Sequence, residues 1–329
     1  MKIHKYLVIT IAFLAMLTGC ANQDKVPTIL DEEPTHIRLP MGYIPSVQYA
    51  PLYSADTSGF FKDVGLELEF DYSYETDGVA LVASDELQFS LASGEQVLLA
   101  RAKGLPVVYV MAWYRDYPIA VVSKAEKEIL KPSDLKGKII GIPGLFGASY
   151  VGFRALLDSA NLQESDVTLE SIGFNQVEAV AADQVDAAVV YVNNEPYQLQ
   201  KLGFDVNVIS VSDFSYLISN GLITNEQTIA ENPDLVRNMV QAFIRGIKYT
   251  VTYPSESYEN SEIYVEGLPA LAEHLQTEEI ERYVSLYQTE PYGYSELSAW
   301  ENMQTVLLKM GLIGERLDLK SAFTNDFIE

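Results

Sequence analysis

Cysteine is nearly missing from these 329 residues, which contain only Cys20. A single thiol excludes any disulfide framework within the chain. Histidine is almost as scarce, and beyond the first twenty residues only His36 and His274 occur. Transition-metal sites draw on clusters of histidine or thiolate, so a metal-binding role is not expected. Positive charge is the third shortage: 22 Lys and Arg stand against 46 Asp and Glu, for a formal charge of -24. Such a balance argues against nucleic acid and disfavours anionic partners. No segment after the first twenty residues is long and apolar enough to read as a membrane span.

What is present begins at the amino end. Lys2 and Lys5 precede an apolar run from Tyr6 to Leu17, which ends in Leu17-Thr18-Gly19-Cys20. That order is an export signal and not a fold element, because the run is too short for a permanent span and stops at small residues. It resembles a bacterial lipobox, which implies cleavage before Cys20 and attachment of diacylglycerol to its thiol. Residues 1–19 are then a lipoprotein signal peptide, and losing Lys2 and Lys5 with it takes the charge to -26. Residues 20–35 are polar, broken by Pro27 and Pro34, and read as a flexible tether. The remaining chain, roughly 290 residues, is long enough to bury a large core in two lobes.

Alternation predicts strands at His36 to Met41 and Leu66 to Phe70, around a helix from Ala50 to Phe61. Short elements follow: a helix at Val79 to Ala83, a strand at Leu87 to Leu91 and a helix at Gln96 to Lys103. Pro106 to Ala112 is almost wholly apolar and suits a buried parallel strand. A second α/β series starts near Ile119, with strands at Lys138 to Ile142, Val167 to Ser171 and Ala187 to Val192. Helices at Ala148 to Ser159 and Asn175 to Ala182 separate these strands. After Ser219 the character reads as all helix, at Pro233 to Tyr253, Glu278 to Tyr287 and Glu296 to Met310. One α/β lobe inserted into another needs two chain crossings, placed near Tyr114 to Pro118 and Ser219 to Ile223. Lobe 1 is then 36–115 with 222–329, and lobe 2 is 116–221. Ligands in such proteins sit where strand carboxyl ends converge.

The order of motifs resembles the periplasmic binding proteins of ABC importers in the SsuA/TauA/ThiY group. The matching stretches are Gly42-Tyr-Ile-Pro45, Ala50-Pro-Leu-Tyr53 and Ser58-Gly-Phe-Phe-Lys-Asp-Val-Gly-Leu66. Ser93-Gly-Glu-Gln96, Ala102-Lys-Gly-Leu-Pro106, Ser133-Asp-Leu-Lys-Gly-Lys138 and Asp183-Gln-Val-Asp-Ala187 continue the series. The resemblance implies a type II periplasmic-binding-protein fold, two α/β lobes joined by a two-segment hinge with a ligand cleft between them. It also implies no catalysis, an ABC permease and its ATPase subunit as partners, no cofactor, a monomer, and a place on the extracytoplasmic face of the cell membrane. Within the group the likeness is to the vitamin branch that includes ThiY and RibY. Riboflavin is the favoured ligand, a thiamine pyrimidine precursor (formylaminopyrimidine) the alternative, and a sulfonate such as taurine the third.

A neutral heteroaromatic ligand needs flat aromatic walls and a few amide or carboxylate partners. Tyr43, Tyr49, Trp113, Tyr114, Tyr150 and Tyr191 fall in or beside the expected cleft loops, although roughly half of such tyrosines serve only to pack under strands. Gln48, Gln96, Asn194 and Glu195 supply polar groups among them. Gly144 to Ser149, holding Phe146 and Ser149, lies between a buried strand and a helix, where backbone N–H groups bind ligand oxygens or simply make a turn. Tyr191-Val-Asn-Asn-Glu-Pro196 ends the next strand, and Asn193 and Asn194 are also good turn formers. Trp113-Tyr-Arg-Asp116 occupies the first crossing, as cleft floor or as hinge packing. The rival class is a thiamine-pyrimidine synthase, whose chemistry by resemblance uses a cysteine-rich iron segment and cofactor-linked histidine and lysine. The cysteine count leaves it without that segment.

Overall fold

The computed structural model describes residues 33–270, 273–286 and 290–328. The signal peptide, Cys20 and nearly all of the tether lie outside the described residues. From residue 34 onward the chain packs as one unit.

β1 (Thr35–Gly42) buries Ile37, Leu39 and Met41 and leaves the intervening side chains outward, apart from the buried Pro40. α1 (Ala50–Thr57) follows a short 3-10 turn and has Pro51 in its first turn, where no backbone N–H is needed. β2 (Leu66–Tyr74) pairs with β1 in parallel, from Thr35 opposite Leu66 to Pro40 opposite Asp71. α2 (Glu75–Ala83), β3 (Ser90–Ser93), α3 (Gly94–Ala102) and β4 (Val107–Ala112) come next, and every β4 residue is buried.

The chain then changes sheet. β5 (Ile119–Lys124), β6 (Ile139–Ile142), α4 (Gly147–Ser159), β7 (Thr168–Ser171), α5 (Gln176–Ala181), β8 (Ala187–Tyr191), α6 (Glu195–Lys201) and β9 (Val206–Ser210) make a mixed five-stranded sheet with its helices. Its strand order is β7-β6-β8-β5-β9. β6 runs parallel to β7 and β8, and β5 runs antiparallel to β8 and β9.

β10 (Asn220–Asn225) returns to the first part and lies between β3 and β4, antiparallel to both. This corrects the expectation of helix alone after Ser219. Asn220 to Asn225 has only Leu222 and Ile223 as large apolar residues, too few to show a period that separates strand from helix. The change of sheet falls at residues 211–219, slightly ahead of the crossing expected at Ser219 to Ile223. α7 (Glu226–Glu231), α8 (Pro233–Thr252), α9 (Pro254–Ser261), α10 (Glu273–Val284) and α11 (Leu297–Lys309) complete the described elements.

α8 lies directly on α1 because Gly246 lets the carbonyl of Pro51 approach. A Cβ at Gly246 would stand 2.1 Å from that oxygen. α11 is fastened by Trp300, fully buried, whose indole N–H donates to Ser295 Oγ at 2.8 Å. Its ring stacks on Phe323 at 4.9 Å and meets Tyr109 of β4 edge-on at 5.2 Å.

Candidate ligand-binding site

The strand carboxyl ends and helix starts of the three sheets surround a cavity of about 260 Å³. β1 ends at Gly42, whose φ of 81° is a left-handed conformation that glycine adopts freely. Tyr43 follows, and Ser46 then caps the 3-10 turn that holds Gln48 and Tyr49, its Oγ accepting from Gln48 N at 3.4 Å. Tyr49 is buried and donates its hydroxyl to the carbonyl of Met41 at 2.8 Å. Trp113 leaves the end of β4 and lies against Tyr49, ring centroids 5.5 Å apart at 24°. From the five-stranded sheet come Phe146 and Ser149 at the start of α4, Tyr191 at the end of β8, and Asn194 with Glu195 at the start of α6.

Of the residues expected from sequence, Tyr43, Gln48, Tyr49, Trp113, Phe146, Ser149, Tyr191, Asn194 and Glu195 line this cavity. Gln96, Tyr114 and Tyr150 do not. Gln96 is buried within α3. Tyr114 sits behind Trp113, stacked on it at 4.3 Å and 20°. Tyr150 donates its hydroxyl to Glu164 at 2.6 Å and accepts from Arg154 Nη1 at 2.8 Å.

Tyr74, Glu75, Phe174, Gln176 and Asn220 also line the cavity and were not expected. Tyr74 and Glu75 sit where β2 passes straight into α2. The sequence pattern ends that strand at Phe70 and restarts helix at Val79, which leaves the junction as loop. Phe174 meets Tyr43 edge-on at 4.8 Å and lies nearly parallel to Tyr74 at 6.2 Å. These three rings bring together side chains from the β1–β2 sheet and the five-stranded sheet.

Two carboxylates, Glu75 and Glu195, reach the cavity, and among the described residues no Lys, Arg or His lines it. Glu195 accepts from the backbone N–H of Tyr191 at 3.0 Å and from Asn194 Nδ2 at 3.2 Å. Burial outweighs these donors and pushes its carboxyl up to about 7. The Tyr43 hydroxyl is pushed well above its ordinary range by burial and then by the Glu195 charge, with Asn194 opposing as its hydrogen-bond partner.

Behind Glu75 stands a second acid. Glu75 Oε1 accepts from both the backbone N–H and the hydroxyl of Ser93, and the same hydroxyl contacts Glu95 Oε1. One hydroxyl proton cannot serve two carboxylates, so one of the acids must hold a proton of its own. Glu95 is fully buried, and burial followed by the Glu75 charge raises it to about 8. Burial raises Glu75 too, opposed by the two Ser93 donors. The hydroxyls of Tyr109, Tyr117 and Tyr191 feel these acids.

Among the described residues no group of three or more His, Cys, Asp or Glu is placed to hold a metal ion. No described helix is long and apolar enough to cross a membrane.

Residues 46–257 match the NMT1/THI5-like family. The chain is 35% identical to riboflavin-binding protein RibY of Chloroflexus aurantiacus, over 98% of each. It is 27% identical to a formylaminopyrimidine-binding protein of Halalkalibacterium halodurans over 78% of each. A Legionella pneumophila protein named as a 4-amino-5-hydroxymethyl-2-methylpyrimidine phosphate synthase is 21% identical, over 89% of this chain and 92% of that one. Among solved structures, the aliphatic sulphonate binding protein SsuA of Escherichia coli superposes with TM-score 0.69 at 14% identity, covering 89% and 92% of the two chains. A Candida albicans protein described as having the generic periplasmic binding protein fold superposes at 0.67 and 17% identity, covering 90% and 98%. The chain belongs to the NMT1/THI5-like family and has the periplasmic-binding-protein fold.

Proposed function

We propose that this member of the NMT1/THI5-like family is the extracytoplasmic solute-binding component of an ABC importer, and that it captures a neutral planar heterocycle, riboflavin ahead of formylaminopyrimidine. The observation that carries the reading is the cavity itself: aromatic walls from Tyr43, Tyr49, Trp113 and Tyr191, amide and carboxylate partners, and no lining cation. A sulfonate is a compact anion, best held by N–H donors or arginine, and it gains little from aromatic walls. A three-ring flavin uses more of those walls than a pyrimidine does, and its ribityl hydroxyls suit Asn194 and Glu195. The similarity to RibY along nearly the whole of both chains supports the same order.

In this reading the part that holds β1 to β4, β10 and the later helices and the part that holds the five-stranded sheet act as lobes that close over ligand, about the crossings at 113–118 and 211–219, so that Asn220 and Gly221 belong with the first lobe and not with 116–221. Binding without catalysis is part of it, because a synthase would need chemistry for which the cavity lining provides no cysteine, histidine or lysine. A permease and its ATPase receive the ligand, and Cys20 carries the lipid, palmitate included, that keeps the protein at the membrane. Cys20→Ser then moves the protein to the soluble fraction with ligand binding intact; a variant retained with membranes and bearing no acyl label would sink the anchor.

Calorimetric titration with riboflavin, formylaminopyrimidine and taurine ranks the ligands directly. Tight taurine binding with no response to riboflavin would overturn the vitamin reading and leave the importer role standing.

A further inference from the structure

Two buried polar atoms of cavity-lining residues have no partner among the described residues. Trp113 is 3% exposed, yet its indole N–H has no acceptor. Asn220 donates Nδ2 to the Tyr191 hydroxyl at 3.3 Å, while its Oδ1 is buried and accepts nothing. Both residues line the cavity and are neighbours across the two chain crossings, since the backbone N–H of Trp113 donates to the carbonyl of Asn220 at 2.9 Å. Leaving a buried donor or acceptor unmatched costs a folded protein stability, and such atoms are rare outside places where something else satisfies them. A donor and an acceptor left unmatched in adjoining residues of the cavity lining specify a complementary edge.

We propose that Trp113 Nε1 and Asn220 Oδ1 form a specificity pair that reads an amide-like ring edge of the ligand, the indole donating to a ring carbonyl or ring nitrogen and the asparagine accepting from the adjacent N–H. This deepens the proposed function and rests on it. The stacking of Trp113 between Tyr49 and Tyr114 holds the indole plane fixed, at 5.5 and 4.3 Å respectively, so the N–H direction is set before ligand arrives. The bond from Asn220 Nδ2 to Tyr191 likewise sets which face of the amide is offered. A ligand without a donor and acceptor on one edge leaves both atoms unmatched, which is how a polar site rejects an analogue of similar shape. Taurine has no such ring edge.

The sequence contains two tryptophans, so a tryptophan-labelled sample gives two indole N–H signals in a nitrogen–proton correlation spectrum. Trp300, bonded to Ser295, serves as the internal reference. In the free protein the Trp113 signal should lie upfield of the Trp300 signal, as for an indole N–H without an acceptor. Saturating riboflavin should move the Trp113 signal downfield and leave the other in place. Trp113→Phe keeps a flat ring and loses the donor, and should weaken riboflavin binding about tenfold. Riboflavin methylated at its ring imide nitrogen should bind the native protein about tenfold more weakly, and Asn220→Leu should abolish that difference.

A free-protein Trp113 signal already at the hydrogen-bonded position would overturn the proposal without any ligand. So would riboflavin binding that leaves the Trp113 signal unmoved, or a Trp113→Phe variant of native affinity. If riboflavin does not bind at all, the flavin reading fails, and the free-protein spectrum still decides whether the indole stands open.

Discussion

Tyr49 and Trp113 lie ring on ring across the cavity floor, centroids 5.5 Å apart and planes 24° from parallel. Tyr49 also donates its hydroxyl to Met41, so the loop after β1 and the end of β4 are tied through one side chain. Removing only the hydroxyl with Tyr49→Phe leaves a buried carbonyl short of its donor, at a cost of about 1 kcal/mol. Tyr49→Ala deletes the ring as well, and large-to-small changes of this kind cost about 3–5 kcal/mol. Urea melts of the two variants should fall in that order. Equal melts would mean that the ring contact contributes nothing beyond the hydrogen bond.

The acids behind the cavity predict how stability varies with pH. Glu95 ionises near 4.5 when unfolded and near 8 when folded, and Glu195 moves from 4.5 to about 7. Between those values the folded state binds more protons than the unfolded state, so stability falls as pH rises. Stability against urea should therefore be fullest below pH 4.5 as far as these two groups are concerned, and should decline until about pH 8. Glu95→Gln stays neutral throughout and should show a shallower decline. An unchanged slope in that variant would show that Glu95 ionises normally in the fold.

Gly246 offers a test of packing that leaves the cavity chemistry alone. Its missing side chain is what lets α8 approach α1, since a Cβ there would also fall 2.8 Å from Ala55 Cβ. Gly246→Ala must push the two helices apart, and overpacking of this sort costs about 1–3 kcal/mol. α1 begins directly after Gln48 and Tyr49, so ligand affinity should weaken along with the urea midpoint. A midpoint at or above the native value would mean that α1 shifts freely.

Much of this architecture is legible in the sequence where local pattern and burial agree. β4 is wholly buried and reads as an apolar run, although it pairs antiparallel to β10 and not in parallel as expected, and α8 shows the helical period over its full length. The start of α6, with Asn194 and Glu195 at the cavity, follows from polar residues placed just past an apolar strand. What escaped depends on contacts distant in sequence. β10 becomes a strand because β3 and β4 offer it two open edges, more than 100 residues earlier. Glu75 carries no local signal, because the Ser93 hydroxyl that links it to Glu95 comes from a strand end 18 residues on. Gln96 and Tyr150 failed in the opposite sense, since their residue types suit a ligand but their side chains face the interior of α3 packing and the Arg154–Glu164 pair.

The charge in the cavity predicts which form of a vitamin is accepted. Glu75 and Glu195 are the ionisable acids at the lining, with no cation beside them to bind a phosphate. A phosphate roughly 8 Å from either carboxylate would be repelled by about 2 kcal/mol for each pair of unit charges at the effective dielectric of a protein interior. Riboflavin and its 5′-phosphate share the ring system and differ by that group alone, so titrating both isolates the charge. The phosphate ester should bind at least about 30-fold more weakly at pH 8, which corresponds to one such pair. The gap should narrow in Glu75→Gln, and it should narrow as pH falls below about 7, where Glu195 takes up a proton. Both effects have the same sign because each removes negative charge from the lining. Salt should change the gap only modestly, since buried charges are screened less than exposed ones. A phosphate ester that binds as tightly as riboflavin would show that the ribityl end points out to solvent, away from both acids, and would move Glu195 out of the ligand's reach.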